Sequence, residues 1–87
     1  MRLTIITPEK ELFAGRVKSV RVPGTSGQFE VLNNHAPIVS SLQKGDVQVT
    51  TDKGQTHTFP IEQGFIEVLR NEVSVLVTQK HTDDQLP

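Results

Sequence analysis

The chain has 87 residues, nine basic and ten acidic side chains, a formal net charge of −1 and no cysteine. A chain of this length supports one core, and without cysteine that core rests on packing alone, with no disulfide framework and no thiolate metal site. The mixed, nearly neutral charge offers no electrostatic footprint for nucleic acid or anionic lipid, and no apolar stretch approaches the ~20 residues that span a bilayer.

Leu3, Ile5 and Ile6, flanked by Thr4 and Thr7, predict a strand over residues 2–7 that Pro8 ends, because proline has no N–H to give to a ladder. This run is too short for the apolar region of a signal peptide, so the chain reads as soluble, with any membrane association made through a protein partner. Pro8 to Glu11 is a polar turn, and Leu12-Phe13 returns apolar side chains to the core before Gly15. The next run, Arg16 to Val22, changes phase: Arg16 and Lys18 share parity with Val20 and Val22. A bulge or sharp bend near Ser19 resolves the conflict.

Val20 to Leu42 carries two glycines, two prolines and one histidine between short apolar runs, more backbone shaping than a simple connector requires. Pro23 to Gly27 predicts a turn, Phe29, Val31 and Leu32 a short strand, and Asn33-Asn34 a second turn, since asparagine tolerates the left-handed region. Ala36 to Val39 reads as an edge-like segment because of Pro37, with Leu42 as its last core anchor. Val47 and Val49 alternate with Gln48 and Thr50 in a half-buried strand. Asp52 to Gln55 is the clearest hairpin signal, and Thr56 to Ile61 begins its partner strand. Gly64 interrupts before Phe65 to Leu69, and Arg70-Asn71 turns the chain into Glu72 to Thr78. There Val73, Val75 and Val77 face one way, while Leu76 breaks the alternation and predicts cover on both faces. No helical period is sustained anywhere. The expectation is an all-β fold, a flattened β-sandwich of about 8–10 short strands in one unit over residues 1–80, with a polar, frayed tail over 81–87.

Catalytic chemistry finds no constellation. Gly24-x-x-Gly27 lacks the spacing and the Gly-Lys-Ser/Thr ending of a phosphate loop. His35, His57 and His81 lie on separate segments without metal-ligand spacing, so no metal and no cofactor is expected. His57 and His81 read as solvated bystanders, and His35 as an imidazole bonded to a backbone or partner group. Ser40 and Ser41 lie too close to His35 along an extended chain to form a nucleophile and base. The four phenylalanines, Phe13, Phe29, Phe59 and Phe65, fall within apolar strands and read as core rather than as a stacking platform for bases. A shaped docking surface within Val20 to Leu42 is the reading that survives.

The order Val20-x-Val22-Pro23-Gly24-x-x-Gly27-x-Phe29-x-Val31-Leu32-x-Asn34-His35-Ala36-Pro37-Ile38 carries a resemblance. So do Leu42-x-x-Gly45-x-Val47, Gly64-Phe65-Ile66-Glu67-Val68, Asn71-x-Val73-x-Val75-Leu76 and the opening Leu3-x-Ile5-Ile6-Thr7-Pro8. Together they closely resemble the epsilon subunit family of F-type ATP synthases. The resemblance implies a non-catalytic central-stalk subunit, monomeric when isolated and one copy per complex, that docks the gamma subunit to the membrane c-ring and couples ion-driven rotation to ATP synthesis. It would lie at the cytoplasmic face of a bacterial plasma membrane, peripheral through the complex and without bilayer insertion. By the same resemblance, Ser26, Gly27, Gln28, Phe29 and Glu30 face the c-ring loops, and His35, Ala36, Pro37 and Ser40 lie at the junction with gamma and the ring.

Three positions depart from the family pattern: Glu30 and Gln63 where glycine is common, and Asn33 where proline is frequent. Family members usually continue into a helical hairpin that binds ATP in some relatives and inserts toward the catalytic subunits. The residues from Asp83 to Pro87 cannot form such a helix, so ATP sensing and insertion-type inhibition are expected to be absent. Two other classes remain open on the residues alone. One is a regulatory subunit that modulates ATP hydrolysis. The other is a free small nucleic-acid-binding β-barrel, which the charge balance argues against.

Overall fold

The computed structural model describes residues 1–80; the tail over 81–87 lies outside the described residues. Eight strands follow one another: β1 (Arg2–Ile6), β2 (Glu11–Gly24), β3 (Gly27–Leu32), β4 (Ile38–Leu42), β5 (Gly45–Thr51), β6 (Thr56–Ile61), β7 (Gln63–Leu69) and β8 (Glu72–Thr78). No helix occurs among the described residues, in line with the all-β expectation.

The strands hydrogen-bond in the order β1-β8-β7-β4-β2-β5-β6, with β3 and β1 also on β2. The 14-residue β2 serves both layers. Its first half, Glu11 to Arg16, pairs with β1, whereas the second half pairs with β5 and β3 and meets β4 at Gly24 and Leu42. One layer is therefore β4, β7, β8, β1 and the start of β2; the other is β3, the end of β2, β5 and β6. Only β1 and β8 run parallel. The register of β2 on β5 shifts between Val17 and Ser19, which is the break the side-chain parity demanded. Because Lys18 takes up the extra position, Val17 and Val20 both turn inward and both are fully buried.

Between the layers sits one valine-rich cluster: Leu3 and Ile5 of β1, Val17, Val20 and Val22 of β2, Val47 and Val49 of β5, and Val73, Val75 and Val77 of β8. Branching at Cβ suits these side chains to a pleated surface, where they stand upright and fill the gap between sheets. No polar side chain among the described residues is buried with them. Met1 belongs to the same core. Its amino group donates to the Val17 carbonyl at 3.1 Å and to Asn33 Oδ1 at 2.7 Å, so the asparagine at a departing position ties the start of β1 to the turn after β3.

Several sequence expectations shift here. Gly15, Pro23 and Gly64, read as breaks, all lie inside strands. The turn expected over Pro23 to Gly27 shrinks to Thr25-Ser26, because Pro23 pairs with Gln28 and Gly24 with Gly27. Pro37 precedes β4, and β4 pairs along β7 while touching β2 at Leu42 alone. Gly64 sits opposite Val77 for a steric reason: a Cβ there would lie 2.3 Å from the Leu76 carbonyl oxygen and 2.7 Å from Val77 Cγ1. Gly64→Ala is accordingly expected to separate β7 from β8 locally and to destabilise the fold by about 1–3 kcal/mol, read as a lower denaturant midpoint with an unchanged slope.

Candidate docking surface

The β2–β3 hairpin presents the first group of sequence-selected residues. Gly24 and Gly27 face each other across its tip, where a Cβ on Gly24 would come 2.7 Å from the Gly27 carbonyl oxygen and 2.8 Å from the Phe29 ring. Gly27 has φ 129°, so both glycines are dictated by the turn. Ser26, Gly27, Gln28 and Glu30 are exposed, while Phe29 is half-buried and packs against the core. Glu30 occupies an extended position opposite Arg21 and is not among the positive-φ residues, so the side chain at this departing position imposes no backbone strain. Its row continues through Arg21 to Gln48 and Thr58, which makes the outer face of this layer polar.

The second group follows β3. Asn34 adopts φ 63°, and its N–H is accepted by Asn71 Oδ1 at 2.8 Å, across from the β7–β8 turn. Arg70 and Asn71 both have positive φ, 53° and 63°, the geometry of a tight two-residue hairpin. His35 is half-buried with Nδ1 2.7 Å from the Ala36 carbonyl oxygen, a backbone contact of the kind the sequence predicted. Ala36 and Pro37 are exposed. Ser40 shares parity with Ile38 and Leu42, toward the interior of the sandwich, and is half-buried. The two groups thus lie on different turns, with His35 to Pro37 beside Asn71 rather than beside the β2–β3 tip.

Sequence reasoning missed a third surface. On the outer face of the β4–β7–β8–β1 layer, Ser41 opposes Phe65, Phe65 opposes Leu76, and Leu76 lies beside Ile6. Phe65 is 56% exposed, Leu76 47% and Ile6 37%, and Val39 at 72% and Leu69 at 48% extend the same face. Directly opposed side chains stand about 5 Å apart at Cβ, so these groups form an apolar stripe that no side chain among the described residues covers. Phe65 is therefore not core, and the cover predicted outside Leu76 is absent among the described residues. The broken alternation at Leu76 was the signal. Phe65 was hidden because Ile66 and Val68, of the opposite parity, are also apolar and take the interior.

The stripe borders a groove of about 620 Å³ whose walls include Pro8, Thr25, Gln63 and Thr78. Among the described residues, its lining holds no histidine, carboxylate or other group suited to acid–base work, and no cluster of metal-binding side chains occurs. His57, expected to be a solvated bystander, is exposed yet rests against Phe13 and Phe59, with ring centroids 5.8 and 6.5 Å away. No helix among the described residues is long and apolar enough to cross a membrane.

Turn-built polar tips and an apolar sheet face that no described residue covers thus flank the core of a β-sandwich. Comparison with known proteins gives the family. The ATP synthase, Delta/Epsilon chain, beta-sandwich domain family matches residues 1–81, and the chain belongs to it. The ATP synthase epsilon chain of Chlorobaculum tepidum is 40% identical over 78 residues, covering 90% of this chain and 88% of the relative. That of Caulobacter vibrioides is 40% identical over 76 residues, covering 87% of each. Among solved structures, a chain of the Euglena gracilis mitochondrial ATP synthase, from an OSCP/F1/c-ring assembly, superposes with a TM-score of 0.84 at 20% identity. This chain is covered over 98% of its length there but spans 54% of that chain, and at such identity the likeness shows the fold. Family membership makes the chain a subunit of an ATP synthase rather than an enzyme in its own right.

The coupling of the two turns at Asn71 can be tested directly. Asn71→Ala removes the acceptor for the Asn34 N–H and the tolerance for positive φ, so a loss of about 1–2 kcal/mol is expected. Hydrogen exchange at Asn34 should accelerate in the same variant.

Proposed function

We propose that this chain is the non-catalytic central-stalk subunit of an F-type ATP synthase, docking gamma to the c-ring so that ion-driven rotation reaches the catalytic subunits as motion of one rigid body. In this reading it lies at the cytoplasmic face of a bacterial plasma membrane, held there by the complex. The observation that carries the proposal is the stripe of Ile6, Phe65 and Leu76, exposed among the described residues, together with membership of an ATP synthase family. Side chains of this size contribute roughly 1.5–3 kcal/mol each when fully covered, enough to anchor a standard protein interface around a few central residues. Gamma is assigned to this stripe and to the turn of His35, Ala36 and Pro37 at its Asn71 end, with Ser40 behind it on the inner side of β4.

The c-ring is assigned to the hairpin tip from Ser26 to Glu30. Polar, solvated groups on a short rigid turn suit contact with polar membrane-protein loops, where an apolar tip would be at risk of nonspecific association. Gln28, an amide, can both donate to and accept from such loops. The sandwich supplies stiffness between the two surfaces, since β2 links both layers and carries the hairpin at its end.

The test is binding of purified gamma to the Phe65→Ser/Leu76→Ser double variant. Binding should weaken by about 100-fold or more, roughly 3 kcal/mol, with the melting temperature of the isolated chain nearly unchanged because both side chains are already exposed. Equal binding by the wild type and the variant would contradict the assignment.

A further inference from the structure

Within the apolar stripe sits one charge. Glu67 lies on the outer face of β7, two residues from Phe65 on one side and two from Leu69 on the other. Across the strands it opposes Val39 of β4 and Ser74 of β8, and the row continues to Thr4 of β1. Its carboxylate is exposed, and the one ion pair among the described residues, between Arg16 and Asp52, lies elsewhere. The next row of the same face carries Glu72, diagonal to Glu67, and then Arg2 beside Glu72. The charge nearest in register is therefore another acid.

A carboxylate framed by Phe65, Leu69 and Val39 is comfortable while water reaches it. Anything that covers the stripe must strip that water away, and a desolvated anion without a counter-charge opposes the apolar contacts around it. We infer that Glu67 is a specificity-determining residue of the docking face, and that the gamma surface covering it presents a lysine or arginine from within an apolar frame. An arginine fits best, since its planar fork bonds both carboxylate oxygens and is less strongly hydrated than an ammonium. The same charge rejects wrong partners: a purely apolar surface, or a second copy of this face bringing its own Glu67, would bury an unpaired or like-charged carboxylate. The same charge therefore disfavours self-association through this face.

This inference rests on the assignment of gamma to the stripe, and the experiment separates the two. Binding of purified gamma is measured for the wild type, Glu67→Gln, Glu67→Lys and Asp46→Lys. The last makes the same charge change on an exposed position of β5 in the other layer. Glu67→Lys should weaken binding at least about 100-fold, Glu67→Gln about 10-fold, and Asp46→Lys less than about twofold. A lysine- or arginine-to-glutamate substitution in gamma should then restore binding to Glu67→Lys and to no other variant. If Glu67→Lys binds as well as Asp46→Lys does, the paired cation does not exist and the inference is overturned while the docking assignment stands. Failure of the wild type to bind gamma overturns both.

Discussion

Both layers of the sandwich depend on β2 and on the single extra residue it carries at Lys18. A strand that kept strict alternation would place Val17 and Val20 on opposite faces, and one layer would lose its anchor. The register shift between Val17 and Ser19 turns both inward, so one strand can close β1 onto its first half and β5 and β3 onto its second. At its far end Gly24 admits close approach of the hairpin tip and meets Leu42 of β4. The interior made this way is filled by branched side chains from both sheets. Phe65, Leu76 and Ile6 are thereby left on the outside of a completed core, exposed among the described residues.

Much of this was legible along the chain, and the exceptions have identifiable causes. The phase conflict between Arg16 and Val22 gave the bulge nearly to the residue, because side-chain parity in a strand is a hard constraint. The turns at Asn33-Asn34, Asp52 to Gln55 and Arg70-Asn71 announced themselves through residues that tolerate positive φ, and Asn34, Gly54, Arg70 and Asn71 all adopt it. Gly15, Pro23 and Gly64 misled for the same reason in reverse. Glycine also serves close packing, as at Gly64 under the Leu76 carbonyl, and a local reading cannot tell that use from a turn. The turn-rich surfaces were visible through the family resemblance, but the sheet face was not. Which parity of Phe65 to Leu69 lies inside is decided by pairing with β4 and β8, a long-range fact.

The two kinds of surface differ in chemistry, and the proposed coupling role would use each differently. The sheet face is mostly apolar, spread over the four adjacent strands β4, β7, β8 and β1, with Glu67 among its apolar side chains. The hairpin tip is polar and narrow, with Gly24 required by close packing and Gly27 by its positive φ. The hairpin grows from β2 and the stripe lies on the layer that β2 also joins, so backbone hydrogen bonds and packed valines connect the two surfaces.

The central claim is that the outer face of β4, β7, β8 and β1 is covered by gamma in the assembled complex. Hydroxyl-radical footprinting of the chain, free and within the purified ATP synthase, tests it most directly. Strong protection of Phe65, Leu76 and Ile6 is expected on assembly, with Thr56 and Thr58 on the opposite layer reacting as before. Unchanged reactivity of Phe65 and Leu76 in the intact complex would contradict it.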